Sequence, residues 1–109
     1  MALRRRTLLA AGAAAAVAQP RAQQPPAQVD IRDMRFTPQT LSVKIGSTVR
    51  WTNSERRTTH SVLFLAPLSF EGERMFPGES WEYRFERSGS YPYSCGPHPE
   101  MQGRIEVTP

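Results

Sequence analysis

Disulfides are the first thing this chain lacks. Its 109 residues include one cysteine, Cys95, and two histidines, His60 and His98. One thiol cannot close an internal bridge, and a free thiol in an oxidising compartment is a liability unless it has another role. The apolar run Leu8 to Ala18 has 11 residues, too short for a helix that crosses a bilayer, which takes about 20. It follows Arg4-Arg5-Arg6 and contains Ala16-Val17-Ala18, the basic, apolar and small-residue order of a removable export signal. Arg5-Arg6-Thr7-Leu8-Leu9 also resembles a twin-arginine signal, which implies a bacterial source and the periplasm as destination. Residues 1–22 are therefore expected to be a signal peptide, with no membrane partner once it is removed.

An excess of basic charge is absent from the rest of the chain. The whole sequence has 14 basic and 10 acidic residues, but Arg4, Arg5, Arg6 and Arg21 leave with a cut after Ala22, so that 10 stand against 10. The net charge of +4 thus belongs to the signal. It does not describe a nucleic-acid-binding surface, and no nucleic acid is expected as a partner. Helical periodicity, internal repeats and signs of a second domain are missing too. Residues 23–28, with Pro25-Pro26, read as a linker that enters neither a helix nor a central strand. Residues 29–109 form one small domain, of the size at which disulfides or metals commonly support the core.

What the domain does contain is alternation. Apolar and polar residues exchange at period 2, broken by Gly and Pro, as in short half-buried antiparallel strands. Val29-Asp30-Ile31 begins the first, with Met34 and Phe36 over one end of the core. Leu41, Val43 and Ile45 make another, and Gly46-Ser47 turns it towards Val49 and Trp51. His60 to Leu65 reads as a buried strand that opens on His60. Trp81, Tyr83 and Phe85 point inward while Glu82, Arg84 and Glu86 face water. Seven to eight such strands in about 80 residues predict an all-β fold, a Greek-key sandwich of two sheets.

The chemistry is concentrated near the C-terminus, in Cys95-Gly96-Pro97-His98-Pro99-Glu100-Met101. Here the only cysteine, one of the two histidines and a methionine are spaced i, i+3 and i+6 in a loop tightened by glycine and two prolines. Thiolate, imidazole and thioether are donors that copper prefers, and one Cys with two His and a weak axial Met is the blue-copper set. The second histidine must be His60, which is the only one left. Each residue alone has a plainer reading, as a small core thiol, a satisfied histidine or a packing methionine. Their conjunction ahead of a strand, in an exported all-β domain, favours a metal site.

The same loop, followed by Gly103, Ile105 and Val107, resembles the C-terminal copper loop of the small cupredoxins, the type 1 (blue) copper proteins. Its spacing is most similar to that of the amicyanins, with plastocyanins and pseudoazurins having a longer gap. The resemblance covers roughly Val29 to Val107. It implies a type 1 copper held by His60, Cys95, His98 and Met101, and redox partner proteins such as cytochrome c or a dehydrogenase. Two positions depart from the family. Ser61 stands where Asn commonly ties the two ligand segments together, which puts that cross-link in doubt, and Glu100 places a charge on the face expected to dock partners. Pro97, Pro99, Met34 and Phe76 could supply an apolar rim there. Arg56-Arg57 could steer an acidic partner, and Glu71 and Glu73 read as solvated surface.

These readings converge on a monomeric periplasmic electron carrier that cycles between Cu(I) and Cu(II) and is not an enzyme. A periplasmic copper-binding or copper-delivery protein would use the same ligands. A third alternative makes Cys95 a nucleophile with a histidine as its base, although no third orienting group is evident.

Overall fold

Period-2 alternation becomes eight strands in the computed structural model, which describes residues 24–109. In chain order they are β1 (Ala27–Arg32), β2 (Arg35–Thr37), β3 (Thr40–Lys44), β4 (Thr48–Asn53), β5 (Leu63–Phe64), β6 (Ser80–Arg84), β7 (Gly89–Ser94) and β8 (Gln102–Thr108). No helix occurs among the described residues. The strands form two four-stranded sheets, ordered β2-β1-β4-β6 and β3-β8-β7-β5, the sandwich that the alternation predicts. The expected signal peptide lies outside the described residues. β1 begins at Ala27, two residues inside the segment read as a linker, because Ala27 and Gln28 pair with Val49 and Arg50.

Pairing is not antiparallel throughout. β1 runs parallel to β4, and β3 runs parallel to β8. The hairpin β1-β2 stays in one sheet, and the chain then crosses to the other before it returns as β4, so both parallel pairs follow from sheet-switching connections. Alternation reports which face a residue occupies and carries no direction. Asp33 and Met34, at φ 52° and 55°, make the two-residue turn of β1-β2, a conformation that matches strand twist.

The inward faces meet in a core of Val29, Ile31, Phe36, Val49, Trp51, Val62, Phe64, Phe85, Tyr91, Tyr93, Ile105 and Val107, with Trp81 and Tyr83 packed against it. Ile45, read as the end of an alternating strand, lies past β3 and is exposed. Aromatic rings pack edge to face at the centre: Tyr93 lies 4.7 Å from Phe36 and 5.5 Å from Trp51 between centroids. Trp51 Nε1 donates to the Tyr93 hydroxyl at 3.1 Å, which gives both buried polar groups a partner. Tyr93 opposes Gly103 across β7 and β8. A Cβ at 103 would come within 2.5 Å of its ring, so glycine there lets the ring lie against the neighbouring strand.

One pole of the sandwich collects the ends of β1, β4 and β7 and the start of β8. Cys95 and Met101 belong to the same buried cluster as the core. Residues that leave these strands at that pole are anchored by the sheets behind them.

Candidate metal centre

β7 and β8 pair up to Ser94 and Gln102, so residues 95–101 are the connection between two hydrogen-bonded strands. Pro97 and Pro99 have no N–H to give. Three of the other amides close the loop on itself: Cys95 N–H donates to Met101 O at 2.9 Å, His98 N–H to Cys95 O at 3.2 Å, and Met101 N–H to His98 O at 2.9 Å. Cys95 and Met101 are buried, while His98 keeps partial exposure.

His60 does not open a strand as the sequence suggested. It pairs with Met75 in an isolated bridge, with N···O distances of 3.1 and 2.8 Å, and the strand proper is only Leu63–Phe64. A second bridge joins Leu63 to Glu71. Two residues separate the bridged positions on the His60 side and three on the Met75 side, so the segment 72–74 carries one extra residue. Such a bulge interrupts a ladder and re-aims side chains. His60 is fully buried there.

These two segments bring the predicted donors together. His60 Nδ1 lies 3.5 Å from Cys95 Sγ and His98 Nδ1 lies 3.6 Å from it, and the donor atoms of all three residues fall within 4.8 Å of one another. A borderline metal sits about 2.0 Å from imidazole nitrogen and about 2.3 Å from thiolate sulfur, which in a trigonal plane separates sulfur from nitrogen by about 3.7 Å. The observed spacings fit such an ion. Met101 is buried on the same loop and is the remaining donor of the expected set.

The groups around the donors fix their protonation. His60 Nε2 lies 3.1 Å from Glu55 Oε1. A carboxylate accepts, so Nε2 carries the proton and the Nδ1 lone pair turns towards the sulfur, the arrangement in which a carboxylate orients a metal-binding histidine. Burial lowers the His60 pKa, His98 adds to this, and Glu55 opposes it. Burial pushes the Cys95 thiol up, opposed by the N–H groups of Ser61 and His98 and by Arg74, with Glu71 adding to the rise. A thiol held protonated is a poor nucleophile, which counts against the reading of Cys95 as an enzymatic nucleophile.

Sequence reasoning missed the residues that hold the donors. Fully buried Asn53 donates through Nδ2 to Thr58 O at 2.8 Å and Met75 O at 2.9 Å, and its Oδ1 accepts the Glu55 N–H at 3.0 Å. Glu55 also accepts the Met34 N–H at 3.2 Å. Ser61, whose short side chain puts the cross-link in doubt, makes it through its hydroxyl, which accepts the Gly96 N–H at 3.0 Å, and its N–H reaches Cys95 Sγ at 3.4 Å, as its place in the backbone allows. Glu71, read as a solvated carboxylate, accepts from that hydroxyl at 2.5 Å and from Arg74 at 2.9 Å. No local motif announces these contacts.

Comparison with known proteins gives the family. The cupredoxin-like domain family matches residues 5–107. Amicyanin of Paracoccus denitrificans is 36% identical over 83 residues, covering 72% of this chain and 63% of its own length, so the chain spans less than two thirds of that relative. Amicyanin-alpha of Methylorubrum extorquens is 36% identical over 106 residues, covering 91% of this chain and 84% of the relative. A Cu(I) form of an amicyanin variant superposes with a TM-score of 0.73 at 33% identity, covering 79% of this chain and 85% of the other. The chain therefore belongs to the cupredoxin-like family and is a small type 1 copper protein similar to amicyanin.

Proposed function

We propose that His60, Cys95, His98 and Met101 bind one copper ion and that the protein is an electron carrier of the bacterial periplasm. One observation carries this reading: two imidazole Nδ1 atoms face a single buried sulfur at 3.5 and 3.6 Å. The bound metal supplies a one-electron couple between Cu(I) and Cu(II). Each donor is held by a different backbone contact, His60 by its bridge to Met75 and the other three by the closed loop, so the set changes little between the two oxidation states. His60 is fully buried and His98 is partly exposed, which makes the His98 edge the route to a partner. With four protein donors no position is left for a substrate, unlike a catalytic metal centre.

Met34 and Phe76 are exposed, at 38% and 60%, and with Pro97 and Pro99 they offer an apolar contact for a redox protein such as cytochrome c or a dehydrogenase. The exposed carboxylate of Glu100 favours partners with a basic rim. The carrier acts as a monomer. The test is the visible and EPR spectrum of the mature chain after addition of Cu(II). An intense thiolate-to-copper band with narrow copper hyperfine splitting is expected. A colourless product, or oxidation of Cys95 by the added metal, would overturn the carrier and favour a protein that handles Cu(I) for delivery.

A further inference from the structure

Ser61 follows His60 and Gly96 follows Cys95, so a link between Ser61 and Gly96 sets the distance between the two ligand segments. That link is one hydrogen bond, from Gly96 N–H to Ser61 Oγ. A hydroxyl can rotate and offer either its proton or a lone pair. The Gly96 amide can only donate, so the hydroxyl must offer it a lone pair, and Glu71, whose carboxylate can only accept, fixes the rotation that does so. It takes the hydroxyl proton at 2.5 Å and leaves a lone pair aimed at Gly96.

Three further observations place Glu71 in this role. Its bridge to Leu63 puts it diagonal to Ser61 on the same face of the bulged pair. Arg74, in the bulge, holds the same carboxylate oxygen at 2.9 Å. Gly96 has no Cβ, and one built there would lie 2.1 Å from Glu71 Oε2 and 2.6 Å from Ser61 Oγ. The carboxylate and the hydroxyl fill the room that a side chain at 96 would need.

We propose that Glu71 is a positioning residue of the metal centre, which acts through the Ser61 hydroxyl to lock the His60 segment against the Cys95 loop before any metal arrives. The inference takes the proposed ligand set as given. The lock is a charge-assisted hydrogen bond feeding a second one, with Arg74 as its outer anchor.

The test is the reaction of Cys95 with a neutral thiol reagent in the metal-free protein, followed by the copper spectrum and reduction potential of each variant. Loss of a hydrogen bond to a charged group promotes local opening by about tenfold or more. Glu71→Ala and Ser61→Ala are each expected to speed thiol reaction by about that factor, and the double variant no further. Glu71→Gln keeps an acceptor and is expected to stay near the parent rate. Ser61→Asn in the Glu71→Ala background is expected to restore slow reaction and the parent spectrum, a rescue that a general loss of stability would not show. A Glu71→Ala protein that reacts at the parent rate, or effects that multiply in the double variant, overturns the proposal. Should the parent give no blue signature while the thiol rates behave as expected, the lock stands and the copper reading falls.

Discussion

Asn53 holds more of the site than any ligand does. Its amide satisfies two carbonyls, of Thr58 and Met75, and its carbonyl accepts the amide of Glu55, so it anchors both strands of the His60 bridge and the carboxylate behind the imidazole. Asn53→Ala leaves Thr58 O and the Glu55 N–H without this partner, while Met75 O keeps the His60 amide, and each orphaned group costs about 1–3 kcal/mol when it stays buried. The expected loss is roughly 2–4 kcal/mol, with partial access of water keeping it below the sum; urea unfolding of the metal-free protein checks it. Tyr93→Phe is a milder case. It leaves the Trp51 N–H without its acceptor and is expected to cost about 1–2 kcal/mol in the same assay, while the core rings stay packed. The proposed ligands stand out in the sequence because soft donors are rare in this chain, and three of the four sit in one short loop. Asn53 and Glu55 do not, since their partners are backbone groups and a histidine whose position depends on the fold.

Strands were legible from alternation, and their breaks were not. His60 to Leu65 carries an apolar run suited to a strand, yet only Leu63–Phe64 ladders regularly, because one extra residue between Glu71 and Met75 offsets the two bridges. Such an insertion leaves no mark on hydrophobic pattern. The same limit hid the parallel pairing of β1 with β4, which depends on where the chain changes sheet. At the end of that pair, Asp30 in β1 accepts from Ser54 just beyond β4 and from Arg32. Burial raises its pKa, but these two partners outweigh it and the carboxyl sits below its ordinary value of 3.8. A carboxyl depressed in the folded state stabilises it above that ordinary value and loses the contribution as pH falls through the folded value. Asp30→Asn is therefore expected to be less stable than the parent near neutral pH. The two melting curves should converge below about pH 4, as read by thermal unfolding of metal-free protein across pH. Parallel curves at every pH would show that the carboxylate links nothing.

The described domain closes its core with one aromatic cluster, has no disulfide, and buries at one pole a thiol and an imidazole whose charged forms burial opposes. Folding without metal must therefore desolvate donors that make few bonds of their own. Metal binding reverses this, since it needs Cys95 as thiolate and both histidines neutral, and it acts only on the folded chain, where the donors converge. The stabilisation follows mass action: free copper at 100 times its dissociation constant adds about 2.7 kcal/mol, and at 1,000 times about 4.1. For a domain of this size each kcal/mol moves the melting temperature by about 4–8 °C. Loading with copper is expected to raise it by at least about 10 °C, and a chelator should return it to the metal-free value. Because the thiol proton must leave, the increment should shrink as pH falls, in step with proton release measured on titration with the metal. A Cys95→Ser variant should fold and melt near the metal-free parent, with a much smaller response to copper. If the parent showed no increment while the blue spectrum was present, the ion would have to bind the unfolded chain equally well. That would locate metal affinity in the seven-residue loop alone and make the rigid pole behind it irrelevant to binding.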